Sequence, residues 1–213
     1  MNFVFLGPPG AGKGTLAKQA SEKLKVPHIS TGDLFREAIQ KGTPLGKEVQ
    51  SILSRGDLVP DGLTIQLVRE RIDQEDCRNG FILDGFPRTI PQAEALQTFA
   101  PPTQVINFLL SEEEIIKRLS GRRSCPQCGA IYHIAFNPPR IDELCDSCSA
   151  RLITRKDDTI EAIKNRLGVY NSQTVPLIAF YEKRGILSNI DASPSAVEVL
   201  ESFLSLIQKL KKR

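Results

Sequence analysis

Near the amino end, the segment Gly7-Pro-Pro-Gly-Ala-Gly-Lys-Gly-Thr15 combines closely spaced glycines with one lysine and one hydroxyl. It follows a short apolar run, Asn2 to Leu6, and opens a helix-like stretch from Lys13 to Leu24. That strand–loop–helix context is the one in which such a segment cradles phosphate. Glycines let successive backbone N–H groups turn inward toward phosphate oxygens, and the helix N-terminus adds the positive end of its dipole. Gly10, Ala11, Gly12, Gly14 and Thr15 would form the cradle, and Lys13 would reach the β and γ phosphates. The plain alternative is a glycine-rich turn with an incidental lysine. The segment departs from GxxxxGK[ST] at one place: Gly14 follows Lys13 and the hydroxyl comes at Thr15, so direct ligation of magnesium by a hydroxyl is not implied.

A second constellation is Cys125-Pro-Gln-Cys128 and Cys145-Asp-Ser-Cys148, two CxxC pairs separated by sixteen residues. This is zinc-ribbon spacing. Four thiolates complete a tetrahedral site with no open position, so the metal would be structural, replacing a hydrophobic core in a module of about forty residues. Disulfides and an iron–sulfur cluster are the competing readings. His133 is nearby, but the ligand set is already full. The fifth cysteine, Cys77, reads as a small buried apolar residue.

Three further stretches carry a resemblance. GPPGAGKGT is similar to the phosphate loop of adenylate kinases; Ile29-Ser-Thr-Gly-Asp-Leu-Phe-Arg36 resembles that family's monophosphate segment. Gly80-Phe-Ile-Leu-Asp-Gly-Phe-Pro-Arg-Thr-Ile-Pro-Gln92 resembles its second signature, and Thr154-Arg-Lys-Asp-Asp158 its lid exit. The resemblance covers nearly the whole chain and is to the bacterial-type, long-lid class. It implies reversible transfer of a phosphoryl group from ATP to AMP, giving two ADP. It also implies that Arg36 and Arg88 hold the AMP phosphate while Arg122, Arg155 and Arg166 converge on the ATP phosphates and the transition state, the last two also reaching the AMP side. Arg118 joins the ATP side. Thr31, Asp57, Leu58, Val59, Gly85, Phe86, Pro87 and Gln92 are implied for the AMP pocket, with Gln92 on the base. The backbone around Ile131 and Tyr132 is implied to touch ATP, and the ATP base is implied to meet main-chain atoms at Ala192 or Ser193. Taken singly, any of these arginines reads as a surface ion-pair partner; their planar forks suit phosphate once motifs gather them.

Asp84 ends a strand beside the phosphate loop, where a carboxylate holds Mg²⁺ directly or through water, with Asp33 assisting through water. The alternative for Asp84 is a turn or helix-cap aspartate. No general base is required, because a phosphate monoester with a second pKa near ~6 is already a nucleophile at neutral pH. His28 and His133 accordingly lack triad partners. Thr31 with Gln92 favours adenine over the UMP, CMP or GMP of rival kinases. A reading from another class makes the CxxC module a nucleic-acid-binding zinc ribbon, but that stretch lacks a dense basic and aromatic face.

The elements that must position these residues alternate in type. Asn2 to Leu6, Gly80 to Asp84 and Val105 to Leu109 read as buried strands and Lys13 to Leu24 as a helix, which predicts an α/β fold. With the resemblance, the expectation is a P-loop kinase fold: a central parallel five-stranded sheet flanked by helices. Residues 30–59, with Gly32, Gly42, Gly46 and Gly56 as breaks, form a helical insert for the monophosphate. Residues 122–158 form a zinc-binding lid, and 1–29, 60–121 and 159–213 form the core. A terminal amphipathic helix places Ala196, Val199, Leu200, Phe203, Ile207 and Leu210 on one face, with Ser193 and Pro194 as cap and first turn.

The 213 residues suit one domain with insertions, and 40% apolar with 25% charged residues is an ordinary globular composition. The net charge of +3 sits in the tail: Lys209, Lys211, Lys212 and Arg213 leave residues 1–208 at 24 − 25 = −1. Four thiolates and one Zn²⁺ would take the total from +3 to +1. Neither nucleic acid nor membrane is expected as a partner, and no charged leader or cleavage site opens the chain, so a cytoplasmic monomer is expected.

Overall fold

A computed structural model describes residues 1–211. Lys212 and Arg213, two of the tail cations, lie outside the described residues. The strands β1 (Asn2–Leu6), β2 (His28–Ser30), β3 (Phe81–Asp84), β4 (Gln104–Leu109) and β7 (Leu187–Asp191) make one sheet in the order β2-β3-β1-β4-β7. Every pairing in it is parallel. Parallel strands buried on both faces need apolar side chains on both, and the alternation along β1 shows it. Phe3 and Phe5 pack with Ile106, Phe108 and the helices α1 (Lys13–Leu24) and α9 (Ala196–Lys211). Val4 and Leu6 pack on the other face with Leu83 and Val105, under α4 (Asp61–Ile72), α5 (Ile90–Phe99) and α8 (Pro176–Glu182).

β1 is the central strand: the chain moves from it to β2 on one side and later to β4 and β7 on the other. Ligands in open α/β sheets settle outside the carboxyl ends of strands at such a reversal, and β1 ends at Leu6, directly before the phosphate loop. The helices α2 (Thr31–Gln40) and α3 (Pro44–Arg55) carry their own cluster of Phe35, Val49 and Val59. Of the four glycines expected to break this stretch, Gly42 and Gly56 do, but Gly32 and Gly46 sit inside α2 and α3. Gly46 is there for packing: a Cβ on it would lie 2.1 Å from the Ala38 carbonyl oxygen, so only glycine lets α3 approach α2 this closely.

Between α6 (Glu112–Ser120) and α7 (Ile160–Val169) lies the two-stranded antiparallel pair β5 (Arg122–Ser124) and β6 (Ile131–His133), with an apolar cluster of Cys125, Tyr132, Cys145 and Leu152. The terminal helix starts later than expected. Its cap is a reciprocal pair, Ser195 N–H donating to Glu198 Oε2 (2.9 Å) and Glu198 N–H to Ser195 Oγ (3.4 Å), so Ser193 and Pro194 precede the helix and are free to face the cleft. Among the described residues no helix is long and apolar enough to cross a membrane.

Candidate active site

The phosphate loop turns tightly because its glycines adopt backbone conformations that other residues resist. Gly7 has φ +139°, and a Cβ there would fall 2.8 Å from Phe108 Cβ. Helix α1 then starts at a left-handed Gly12 with no side-chain cap. By contrast α2, α3, α5, α6 and α7 are capped by Ser30, Thr43, Thr89, Ser111 and Thr159. The first N–H groups of α1 therefore remain available to an anion in the cleft. Lys13 Nζ folds over the loop, donating to the Gly7 and Pro8 carbonyls (both 2.8 Å). Burial pushes its ammonium down to about 8, against the pull of Asp84.

The loop opens on a cleft of about 950 Å³ lined by seven basic side chains, Lys13, Arg36, Arg88, Arg118, Arg122, Arg155 and Arg166, against five acidic ones. Desolvation lowers Arg155 and Arg166 to about 10, with neighbouring arginines adding to it. Arg88 is lowered too, by burial first and then by Arg36. Such a surplus of desolvated cations is a receptor for polyanions.

Their carriers are separate elements, and buried carboxylates tie these together. Asp158, whose side chain is fully buried, accepts from Arg122 Nε (2.7 Å) and Nη2 (2.5 Å) and from Arg166 Nη1 (3.1 Å). This joins β5 to α7. Asp157 pairs with Arg166 at 3.0 Å, and burial alone would raise its carboxyl, but Arg166 and Arg122 hold it below the usual range. Arg155 Nε donates to Ser124 Oγ (2.8 Å). Asn165 Nδ2 donates to the Arg55 carbonyl (2.9 Å) and to Asp57 Oδ1 (2.7 Å), fastening the end of α3 to α7.

Asp84 lies against the loop: a Cβ on Gly14 would stand 3.1 Å from its Oδ2, and His28 Nε2 is 3.7 Å from the same oxygen. Burial pushes Asp84 up, but His28, Lys13 and Arg88 outweigh it, so the carboxylate stays ionised well below neutral pH. Asp33 is held by Arg36 Nη2 (2.5 Å), and its pKa is lowered by that pairing despite burial.

All the residues expected for nucleotide or magnesium line this cleft except Thr31, Val59, Phe86 and Gln92, which are buried behind its wall. Thr31 Oγ1 donates to the Gly85 carbonyl (2.9 Å). Gln92 Oε1 accepts from Arg88 N–H (2.7 Å), and its Nε2 donates to Asp61 Oδ1 (2.7 Å). Arg118 Nη2 donates to the Ser193 carbonyl (3.0 Å), Ser193 N–H donates to Asp191 Oδ1 (2.9 Å) and Ala192 N–H to Leu109 O (2.9 Å), and Ala192 and Ser193 both line the cleft. The Tyr132 side chain turns toward the cysteines, its Oη 3.5 Å from Cys145 Sγ and accepting from Asp146 N–H (2.8 Å).

The sulfurs of Cys125, Cys128, Cys145 and Cys148 all lie within 4.8 Å of one another, with Cys125–Cys148 at 3.4 Å and Cys128–Cys145 at 3.5 Å. Four thiolates about 2.3 Å from one zinc stand about 3.8 Å apart, so the geometry fits that ion. None of the five cysteines is disulfide-bonded. Cys77 is buried as expected, but it also accepts from Arg71 Nη1 (3.2 Å).

Asp61, Asp157, Asp158, Asn165 and Thr174 had no sequence assignment. Only the Asp157-Asp158 pair stood inside a motif, and that was the one available signal.

The family model described as adenylate kinase matches residues 5–186. The chain belongs to the adenylate kinase family. It is 56% identical to an adenylate kinase of Treponema denticola over 95% of this chain and 97% of that one. It is 53% identical to one of Methanocella arvoryzae (99% and 100% covered) and 48% identical to one of Archaeoglobus fulgidus (99% and 100%). The glycine loop, the uncapped start of α1 and the converging arginines lie on one cleft of this adenylate kinase family member.

Proposed function

We propose that this cleft transfers the γ-phosphoryl group of ATP to AMP, and in reverse converts two ADP to ATP and AMP. The observation that carries the reading is the convergence of seven cations from separate segments on the phosphate loop, in a chain of the adenylate kinase family. Gly10 to Thr15, Arg118 and the main chain near Ile131, Tyr132 and Ser193 hold ATP. Arg36, Arg88 and the segments around Thr31, Asp57–Val59, Gly85–Pro87 and Gln92 hold AMP; Gln92 and Thr31 reach the base when the wall opens around it. Lys13, Arg122, Arg155 and Arg166 surround the phosphoryl group in flight. Asp84 and, through water, Asp33 would hold the Mg²⁺ that comes with ATP, which would supply neutralisation of phosphate charge.

The chemistry asks little beyond position and charge. The AMP phosphate is its own nucleophile, and the desolvated cations stabilise charge spreading over the transferring group. Nucleotide phosphates in turn favour the charged form of Lys13. Residues 30–59 and 122–158 act as an insert and a lid that close on the core (1–29, 60–121 and 159–213) and exclude water, which would otherwise take the phosphoryl group. Zinc on the four cysteines keeps the lid folded. The protein works as a cytoplasmic monomer without nucleic acid or membrane.

The test is stoichiometric. With MgATP and AMP, two ADP should form per AMP consumed, none should form from ATP alone, and chelation of magnesium should stop the reaction. ADP release from ATP without AMP would overturn the reading.

A further inference from the structure

Arg88 lines the cleft but is held from behind it. Its backbone N–H donates to Gln92 Oε1 (2.7 Å), its carbonyl accepts from Thr174 Oγ1 (2.9 Å), and its Nε donates to Gly85 O (2.8 Å). Its two Nη groups meet no protein acceptor among the described residues. Every polar group of this residue is thus tied except the pair that faces the cleft, which is the pair a phosphate would take bidentately.

Two of these ties are set by residues far away in sequence. Asp61, in the first turn of α4 and outside the cleft lining, accepts at Oδ1 from both Gln92 Nε2 (2.7 Å) and Thr89 Oγ1 (3.0 Å). An ionised carboxylate only accepts, so it must take the amide nitrogen of Gln92 and leave the amide oxygen for Arg88 N–H. Asp61 therefore dictates which way Gln92 points. Thr174 closes a π turn, Tyr170–Thr174, in which Val175 N–H bonds Tyr170 O (3.0 Å). That wider winding adds a residue between α7, which carries Arg166, and α8, and such turns recur at functional sites. Here it delivers the Thr174 hydroxyl to the Arg88 carbonyl.

We infer that Asp61 and Thr174 are positioning residues that aim the Arg88 guanidinium at the AMP phosphate, Asp61 through Gln92 and Thr174 directly. The inference rests on the reading of Arg88 as an AMP ligand. Loss of either tie leaves the guanidinium present but misaimed, so AMP suffers and ATP does not.

The experiment compares Asp61→Leu, which removes the acceptor at similar size, and Thr174→Val by KM for AMP, KM for ATP, kcat and Tm; an asparagine at 61 would keep an oxygen where both bonds end. Each should raise KM for AMP about fivefold to tenfold with KM for ATP within about twofold. In Asp61→Leu the Arg88 amide should also lose hydrogen-exchange protection, since nothing then fixes which end of the Gln92 amide faces it. Adding Gln92→Glu to Asp61→Leu should restore that protection, because a glutamate presents an acceptor to Arg88 N–H in either orientation. Equal shifts of both KM values that follow Tm, or no restoration in the double variant, would overturn the inference. Arg88→Ala is measured alongside. If it spares AMP, the AMP reading of Arg88 fails and the inference falls with it; if it weakens AMP selectively while Asp61→Leu and Thr174→Val do not, the inference alone fails.

Discussion

Both the phosphate-loop cleft and the cysteine module gather groups of like charge. Seven basic side chains line the first, and four thiols within 4.8 Å of one another make up the second. In the cleft the protein supplies only part of the opposing charge, and desolvation leaves Lys13 at about 8 and Arg155 and Arg166 at about 10. The remaining negative charge has to come from the nucleotides. In the module the opposing charge would come from one divalent ion held by all four sulfurs, and Tyr132 already draws the Cys145 thiol down to about 6 by hydrogen bonding. One cluster is arranged to receive an anion; the other, with an ion on its four thiolates, would hold a small fold together and leave no coordination position for chemistry.

Truncating a cleft cation should separate activity from stability. Lys13→Met should lower kcat by about 10²–10³, the range for loss of one preorganised charge donor. Its Tm, read by calorimetry, should hold or rise, because a desolvated ammonium has been removed. A parallel collapse of Tm and turnover would erase the distinction between the two regions.

The complementary change is smaller in rate and larger in stability. The wild-type protein should carry about one zinc per chain by elemental analysis, and Cys145→Ser should lose it. Tm should then fall by about 5–10 °C, while activity well below the new Tm drops less than in Lys13→Met. Intact metal content in the variant, or unchanged Tm, would show that the cluster is not what holds the lid.

The smallest expected signal is a proton. With Lys13 at about 8 in the free protein, phosphates that favour the ammonium return it toward its ordinary value of 10.5. Binding at pH 8 should therefore take up about half a proton, and at pH 6.5, where Lys13 is already charged, almost none from this group. Calorimetry of a non-hydrolysable ATP analogue in two buffers of different ionisation enthalpy reads this directly, and Lys13→Met should abolish the pH 8 uptake. Equal uptake in the variant would place the proton elsewhere.

What could be read beforehand was local. β1, the loop and α1 follow from a strand ending in glycines with a lysine opening a helix, and α1 occupies the expected Lys13–Leu24. The cysteine quartet follows from spacing alone. What could not be read were pairings across distance. Gln92 finds Asp61 across 31 residues, Arg122 finds Asp158 across 36, and Arg88 finds Thr174 across 86. Nothing in the local pattern around any of these residues announces its partner. Gly46 misled for a related reason: a glycine within a helix looks like a break until the neighbouring helix that requires it is in place. Cap chemistry was nearer to hand, since Ser195 and Glu198 have the spacing of a capping box, yet Ser193 and Pro194 offered a plausible start two residues earlier.

This cleft is proposed to phosphorylate AMP. Initial rates with MgATP and each of AMP, UMP, CMP and GMP test it most directly. AMP should be turned over fastest, by a wide margin in kcat/KM; faster turnover of UMP, CMP or GMP, or no monophosphate-dependent ADP at all, would contradict it.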